Sequence, residues 1–349
     1  MKINNQSYLT IWHNEKNDCI CIIDQTKLPF EFVIKELNTY QDGFDAMRNM
    51  LVRGAPLIGG TAAYTLYLAA KEDESFDNIK NKAEHIKTAR PTAVNLAWAA
   101  DRVLKNADKN NLKQSILTEC KKICTEDIFI SEKIGEHGLK IIKDLNKDKV
   151  NILTHCNAGW LATIDWGTAT APIYKARDAG ISLNVWVDET RPRNQGASLT
   201  SFEFLNENID HKVIADNTGG LLMQKGMVDV CIVGTDRVSK NGDVANKIGT
   251  YLKALAAKDN GIPFYVALPS TTYDRNIKTG KDIPIEERSD DELKYVYGCD
   301  QSGEIKKINI YAKGAKGFNL GFDITPAELI TGFITEKGIF KPEELEKEI

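Results

Sequence analysis

Two side chains capable of chemistry, the thiol of Cys156 and the carboxyl of Asp236, each follow a short apolar run of the sequence. Cys156 comes after residues 150–154 and opens a turn toward a predicted helix, a position that can lower the pKa of a thiol and expose it. Asp236 comes shortly after residues 228–233. Within that second run, Cys231 is expected to be a core residue, because an unpaired cysteine packs as a small apolar side chain. Cys156 and Asp236 are therefore the candidate reactive groups.

Two arginines that stand just before predicted helices could hold an anion. Arg53 precedes the bare backbone of Gly54 and Ala55, while Arg90 lies in the run ARPT, whose proline suits a first helical turn and whose Thr92 could cap it. Exposed N–H groups at a helix start, together with a guanidinium, suit a phosphate group. Taken singly, each arginine is better explained as a salt-bridged helix-start residue. Two such helix starts in one domain favour a shared anion site.

Two polar segments supply further groups for binding a sugar. Residues 188–196 (DETRPRNQG) put both signs of charge and the amide of Gln195 into a strand-to-helix loop, which suits sugar hydroxyls, although a solvated turn has a similar composition. Residues 241–247 (NGDVANK) are predicted to form a loop that ends at a helix start. There Lys247 supplies a positive charge, and Asn246 can both donate and accept hydrogen bonds.

Short apolar runs that alternate with helical stretches must position these groups. Strands that are buried on both faces and separated by helices predict a parallel sheet in a doubly wound α/β domain. In such a sheet, ligands bind beyond the carboxyl ends of the strands. Titratable groups follow most of the predicted strands, which favours an active site there over simple structural capping. The predicted strands are residues 150–154, 183–187, 212–215, 228–233, 263–267 and 308–311.

The first part of the chain has a different pattern. Its first 40 residues contain short β-branched and aromatic runs, and Ala- and Leu-rich helical stretches follow. We therefore predict a mostly helical domain with a small β element over residues 1–145, and a Rossmann-like domain over residues 146–349. The predicted strands of the first domain are residues 8–12, 19–24 and 30–37, and its predicted helices are residues 43–52, 56–71, 92–105 and 111–145.

The composition argues against several classes of protein. With 45 basic and 49 acidic side chains in 349 residues, the net charge of −4 disfavours nucleic-acid binding, which calls for clustered positive charge. Seven scattered cysteines predict reduced thiols and no metal site. The uncharged residues 54–70 predict a buried helix rather than a membrane span, and the polar N-terminus predicts a cytoplasmic protein. Neither GxGxxG nor GxxxxGK[ST] occurs, so no nucleotide cofactor is expected.

Long segments of the sequence resemble the methylthioribose-1-phosphate isomerase family. The resemblance covers about residues 40–340. The matching segments are RGAPLIGGTAAY from Arg53, ARPTAVNLAWA from Ala89, ILTHCNAGWLAT from Ile152, VDETRPRNQGASLTSFE from Val187, IVGTDRVSKNGDVANKIGTY from Ile232, GIPFYVALPSTTYD from Gly261 and FDITPAELITGFITEKG from Phe322.

This resemblance implies an enzyme of methionine salvage that isomerises 5-methylthio-α-D-ribose 1-phosphate to 5-methylthio-D-ribulose 1-phosphate. It implies that Asp236 and Cys156 are the catalytic pair, with Asp236 as the proton donor. It also implies a homodimer that binds a small sugar phosphate and needs no metal and no cofactor. The substrate-binding positions that it implies are Arg53, Gly54, Ala55, Arg90, Gln195, Asn246 and Lys247.

The motifs leave three alternatives open. Relatives in the same family act on 5-deoxyribose 1-phosphate or on both sugars; Trp160 and Trp166 could line the pocket for the 5-substituent or could simply pack in the core. Cys156 could relay a proton at C2, or it could stabilise a hydride shift. Regulatory subunits of the initiation-factor nucleotide-exchange complex share the architecture and bind without catalysis, but they are expected to lack the cysteine of HCNAG and the aspartate of GTDR.

Overall fold

The structure is a computed structural model that describes residues 1–90 and 94–349. It confirms a mixed α/β fold with a parallel-rich sheet and a helical region. The chain divides into two compact units. Unit 1 comprises residues 1–132 and 159–167, and unit 2 comprises residues 133–158 and 168–349.

The β element of unit 1 is smaller than predicted. The third strand begins later than residue 30, because the N–H groups of Phe30 and Glu31 bond to the carbonyl of Lys27 in local turns at 3.1 and 3.0 Å. Strands β3, β4 and β5 form an antiparallel sheet, and β1 pairs with β2. The strands are β1 (Lys2–Ile3), β2 (Gln6–Ser7), β3 (Ile11–Asn14), β4 (Cys19–Ile23) and β5 (Ile34–Leu37).

The helices that begin in unit 1 follow the predicted pattern, with one addition, α3. Every residue of α2 from Leu57 to Ala70 is buried, as expected for a core helix, and no helix in the described part of the chain could cross a membrane. The predicted helix start at Thr92 lies outside the described residues. The helices are α1 (Tyr40–Arg48), α2 (Ala55–Glu72), α3 (Phe76–Ile86), α4 (Val94–Asn106) and α5 (Leu112–Asp144).

Unit 2 contains thirteen strands among its described residues, arranged in three sheets. They are β6 (Lys149–Thr154), β7 (Ser182–Asp188), β8 (His211–Ile214), β9 (Val230–Val233), β10 (Arg237–Ser239), β11 (Val244–Lys247), β12 (Phe264–Ala267), β13 (Tyr273–Asp274), β14 (Tyr295–Cys299), β15 (Ile305–Asn309), β16 (Phe322–Thr325), β17 (Gly332–Ile334) and β18 (Ile339–Phe340). The helices are α6 (Ala171–Asp178), α7 (Ser201–Asn206), α8 (Thr218–Gln224), α9 (Thr250–Asp259), α10 (Asp291–Lys294) and α11 (Leu345–Glu348).

The main sheet of unit 2 has the order β18-β17-β12-β9-β6-β7-β8, and all its strands are parallel except β18. We number the six parallel strands 1 to 6 in chain order, from β6 to β17. Across the sheet, starting at the β8 edge, they then follow the order 3-2-1-4-5-6 of doubly wound nucleotide-binding sheets. β6 lies at the centre, so the loop that follows it, with Cys156, stands at the point where the strand order reverses. The sheet therefore directs the loops after β6, β7 and β9 to one edge.

The prediction of a sheet strand at residues 308–311 is wrong. Ile308 lies instead on β15, which pairs with β14 in an isolated antiparallel hairpin, and its side chain is exposed. The sixth parallel strand is β17, whose three residues are all buried. A run of only three apolar residues that begins with Gly332 carries too weak a periodic signal to identify a strand.

A smaller four-stranded sheet has the order β13-β10-β11-β16. It corrects the prediction for residues 241–247: Val244–Lys247 form the buried strand β11, and the helix α9 begins only at Thr250. β11 pairs antiparallel with β10 through Val244 and Ala245 and with β16 along its whole length, so Asn246 and Lys247 lie opposite Asp323 and Phe322 of β16.

Candidate active site

The loop after β6 holds Cys156 in a strained backbone conformation. Its φ is +67°, a left-handed value that costs a residue with a Cβ about 1–2 kcal/mol. Two hydroxyl groups clamp it: the N–H of Cys156 donates to Thr190 Oγ1 at 2.9 Å, and Thr200 Oγ1 donates to the Cys156 carbonyl at 2.8 Å. The side chain is only partly buried. Strain of this kind, held by its surroundings, is typical of functional sites.

The loop after β7 supplies one half of that clamp. Thr190, itself at φ +68°, donates its hydroxyl proton to the carbonyl of Asp188 at 2.9 Å while its oxygen receives the N–H of Cys156. The N–H groups of Thr190 and Arg191 both donate to the carboxylate of Asp216 at 2.7 Å. The loops after β6, β7 and β8 are therefore joined by hydrogen bonds, and their relative positions are fixed.

Gln195 ends the β7 loop, where the chain enters a π-helical turn, Gly196–Thr200, that leads into α7. The side chain of Gln195 is buried, and its Oε1 atom has no hydrogen-bond partner among residues 1–90 and 94–349. A buried acceptor without a partner is costly, so this amide is poised for a donor group of a ligand. Gly196 is required here, because a Cβ atom would lie 1.7 Å from the Asp188 carbonyl oxygen.

The hairpin β10–β11 positions the other predicted residues of unit 2. The N–H of Asp236 donates to the carbonyl of Ala245 at 3.0 Å, and the Asp236 side chain is exposed. Asn246 and Lys247 are buried: Asn246 Nδ2 donates to Thr250 Oγ1 at 2.9 Å, and Lys247 Nζ donates to the Gly321 carbonyl at 2.9 Å.

Lys247 interacts electrostatically with both candidate reactive groups. Burial lowers the pKa of Lys247 below its ordinary value, and the charges of Cys156 and Asp236 act in the opposite direction. Arg288 and Glu292 also act on this ammonium, with opposite signs. Both groups therefore act electrostatically on Lys247, although Cys156 and Lys247 stand 91 positions apart in the sequence.

Close packing of two loops supports the same grouping. A Cβ atom on Gly234, directly after β9, would lie 2.4 Å from the Cβ atom of Ala158, two residues beyond Cys156. The exposure of Asp236 means that the protein without ligand does not enclose this carboxyl in an apolar pocket. A protonated acid at neutral pH would therefore require a bound anion, exclusion of water on ligand binding, or both.

A fully buried pair, His155 and Asp188, lies beneath this edge of the sheet, with His155 Nδ1 2.8 Å from Asp188 Oδ2. Donor atoms of His155, Asp188 and Asp216 lie close enough together to suggest a metal site. However, Lys253 Nζ lies 3.1 Å from the same Asp188 oxygen, so a lysine already supplies the positive charge there. No sequence motif assigned a role to His155, Thr190 or Lys253; the position of His155 at a strand end was the available signal.

Four of the predicted residues lie in unit 1. Gly54 precedes α2 at φ +88°, and a Cβ atom there would lie 2.2 Å from the Ala162 carbonyl oxygen, so only glycine fits. Ala55 is the first residue of α2, and Arg53 and Arg90 are partly buried. The predicted site residues thus form two groups, one in each unit. Trp160 is fully buried, which favours core packing for that side chain.

Comparison with known proteins identifies relatives along almost the whole chain. A model of the Initiation factor 2 subunit family matches residues 51–342. The methylthioribose-1-phosphate isomerase of Paramagnetospirillum magneticum is 53% identical over 346 residues, which cover 97% of this chain and 96% of that protein.

Two solved structures have similar folds. The 5-methylthioribose 1-phosphate isomerase of Pyrococcus horikoshii OT3 has a TM-score of 0.85 and 36% identity, and the match covers 98% of this chain and 95% of that one. A structure described as translation initiation factor eIF-2B, subunit delta, from A. fulgidus has a TM-score of 0.83 and 38% identity, and the match covers 97% of both chains.

Proposed function

The chain belongs to the Initiation factor 2 subunit family, where its relatives include the methylthioribose-1-phosphate isomerases, and on this premise we propose that it isomerises 5-methylthio-α-D-ribose 1-phosphate to 5-methylthio-D-ribulose 1-phosphate. It is an aldose–ketose isomerase of methionine salvage. One observation supports the proposal for the site: the charges of Cys156 and Asp236, which follow neighbouring strands of the main sheet, both act on the buried ammonium of Lys247.

The substrate explains why an acid is needed. Because the anomeric oxygen carries the phosphate, the ring cannot open by simple hemiacetal chemistry. An acid must protonate the ring oxygen while the bond from C1 to that oxygen breaks, and a hydrogen must then move from C2 to C1. We propose Asp236 as this acid. Its carboxyl is exposed in the free enzyme, so substrate binding must remove it from water and keep it protonated.

Cys156 is the proposed second catalytic group. It relays the proton from C2 to C1, or it stabilises the transition state if the hydrogen moves as a hydride. The neighbouring ammonium of Lys247 supports the first route, because a positive charge favours the thiolate form of a cysteine, which can act as a base. Deuterium from solvent at C1 of the product distinguishes the routes, since only a relayed proton can exchange with water.

The remaining residues are proposed to bind the substrate. Lys247 supplies charge for the phosphate, and the unpartnered Oε1 of Gln195 accepts from a sugar hydroxyl. Asn246 supplies a further amide. The resemblance of their motifs supports the same role for four residues of unit 1: Arg53, Gly54, Ala55 and Arg90.

The A. fulgidus structure supports a second candidate function, that of a regulatory subunit which binds a sugar phosphate or nucleotide without catalysis. The HCNAG and GTDR segments, with Cys156 and Asp236, favour catalysis. Three features stay predictions from the sequence. They are a homodimer, a cytoplasmic location, and a helical domain followed by a Rossmann-like domain with a boundary at residue 146.

The test is an NMR assay of the purified protein in D₂O, with 5-methylthioribose 1-phosphate and 5-deoxyribose 1-phosphate in parallel. We expect turnover of the thio-sugar. Equal turnover of both sugars would instead define a broad 5-deoxypentose isomerase. If neither sugar reacted while the protein still bound them, the regulatory function would replace the enzymatic one.

A further inference from the structure

We propose that His155 is a positioning residue of the isomerase site: its buried imidazole holds the backbone of Cys156 at a set distance from Lys247. This inference rests on the proposed function, because it concerns the same site. His155 precedes Cys156 in the chain and is fully buried. Its ring joins the loop after β6 to the end of β11, two segments that are distant in the sequence.

The first contact of the ring reaches the segment that carries Lys247. His155 Nε2 lies 2.8 Å from the carbonyl oxygen of Ile248, the residue after Lys247. A carbonyl oxygen only accepts hydrogen bonds, so Nε2 is assigned as the donor. Gly249, at φ +104°, lets the backbone pass against the ring, since a Cβ atom there would lie 3.0 Å from His155 Cε1. The imidazole thus fills the space between the two segments.

The second contact fixes the orientation of the ring. His155 Nδ1 lies 2.8 Å from Asp188 Oδ2, and Lys253 Nζ lies 3.1 Å from the same oxygen. Lys253 also donates to the carbonyl of Asp216. A ring held at both nitrogens can neither rotate nor shift along its plane without losing a hydrogen bond.

Asp188 reaches Cys156 by a second route. Its carbonyl accepts from Thr190 Oγ1, and that oxygen receives the N–H of Cys156. The side chain and the backbone of one buried residue therefore both support the strained φ of Cys156. Burying a histidine, an aspartate and a lysine together is costly for stability compared with apolar packing. Since these groups join the segments that carry Cys156, Gln195 and Lys247, alignment of the reactive groups accounts for that cost.

Two substitutions separate the contacts of the ring. In His155→Gln, the amide nitrogen can reach the Ile248 carbonyl but the bond to Asp188 is lost; in His155→Asn, the shorter amide can reach Asp188 but not Ile248. We expect kcat to fall about 10- to 100-fold in His155→Asn and less in His155→Gln, with KM changed less than threefold, because a displacement of about 1 Å can cost about 100-fold in rate.

A second readout does not depend on turnover. The rate at which iodoacetamide alkylates Cys156 at pH 7 is measured on the folded protein by peptide mass spectrometry, which separates it from the exposed Cys299. We expect the rate to fall at least fivefold in His155→Asn, because the thiol moves away from the ammonium of Lys247. His137→Gln is the matched control, because it removes a hydrogen bond elsewhere in unit 2, in which His137 Nδ1 lies 2.8 Å from the Thr335 carbonyl oxygen. Both kcat and the alkylation rate of this variant should stay at wild-type values.

The proposal is overturned if both His155 variants keep wild-type kcat and alkylation rates while their melting temperatures fall, since that result defines a purely structural histidine. Should the variants fail to fold, Gly249→Ala tests the same contact by placing a methyl group against the ring with His155 intact; unchanged kcat and alkylation there would overturn it equally. Absence of isomerase activity in the wild type would instead refute the proposed function, and the alkylation rates would still report on the position of Cys156.

Discussion

At the scale of single residues, the backbone conformation of Cys156 sets stability against the proposed catalytic role of this residue. A left-handed φ of +67° suits glycine far better than a residue with a Cβ atom. We predict that Cys156→Gly is more stable than Cys156→Ala by about 1 kcal/mol in urea unfolding, although both variants lose turnover. Cys299→Ser, which changes an exposed thiol, should keep full activity. Equal stability of the two Cys156 variants would show that the conformation carries no strain.

The proposed role of Asp236 as the acid predicts a loss of rate without a loss of binding. Asp236→Asn keeps the size of the side chain and removes the acid, so kcat should fall by about 10²- to 10⁴-fold while the substrate dissociation constant changes little. Single-turnover kinetics and calorimetric titration measure the two quantities separately. Asp210→Asn, at an exposed carboxylate 2.8 Å from Lys149, is the control. Near-normal turnover of Asp236→Asn would rule out this residue as the acid.

The burial of Lys247 implies that its charge helps substrate binding but lowers the stability of the folded protein. Because burial lowers the pKa of Lys247, its charged form is costly in the folded protein below that pKa, and this cost disappears as the pH rises toward the ordinary value of 10.5. Lys247→Met should raise KM at least tenfold without lowering the melting temperature at pH 7. Lys240→Met, at an exposed lysine paired with Glu346 at 2.8 Å, is the control and should leave KM unchanged.

At the scale of elements, the loop after β7 depends on the absence of a side chain at its turn into the π-helix. Gly196→Ala would place a Cβ atom 1.7 Å from the Asp188 carbonyl oxygen, so the turn must shift. We expect the free energy of unfolding, measured in urea, to fall by about 1–3 kcal/mol. Substrate binding through the neighbouring Gln195 should also weaken. Gly220→Ala in α8 is the matched control, because its nearest contact would be an ordinary 3.7 Å. It should stabilise the protein by about 0.5–1 kcal/mol.

At the scale of the whole molecule, one carboxyl in unit 1 should make stability depend on pH. Burial raises the pKa of Asp127 to about 7, although its carboxylate accepts the N–H of Ile164 at 2.8 Å and part of the residue reaches the surface. The folded state therefore holds this proton more tightly than the unfolded chain. The resulting stability is fully present below about pH 4 and is lost as the pH rises toward about 7.

Asp127→Asn removes this dependence and keeps an acceptor for the N–H of Ile164. Solvent screening at a partly accessible group reduces the full linkage effect, so we expect the variant to be more stable than the wild type by about 2 kcal/mol at pH 8 and equally stable at pH 4. Urea unfolding at several pH values gives the difference. Asp101→Asn, at an exposed carboxylate 2.7 Å from Lys87, should show no such trend, and a constant difference for Asp127→Asn would contradict the prediction.

The sequence by itself determined the parallel strands of the main sheet other than β17 and the positions of Cys156 and Asp236 at their ends. Each of these depends on local signals: an apolar run buried on both faces, then a polar turn. The same signals failed for β17, which is too short, and for residues 241–247, where pairing with β16 makes a strand from a polar segment.

Only the tertiary structure decided how these groups meet. The burial of Lys247, the strained backbone of Cys156, the unpartnered amide oxygen of Gln195 and the contacts of His155 depend on loops that approach one another from segments tens of residues apart. Hydrophobic periodicity is set by neighbouring residues and can be read along the chain. The hydrogen bonds that join the loops arise only when the sheet brings its strand ends to one edge, so no local pattern predicts them.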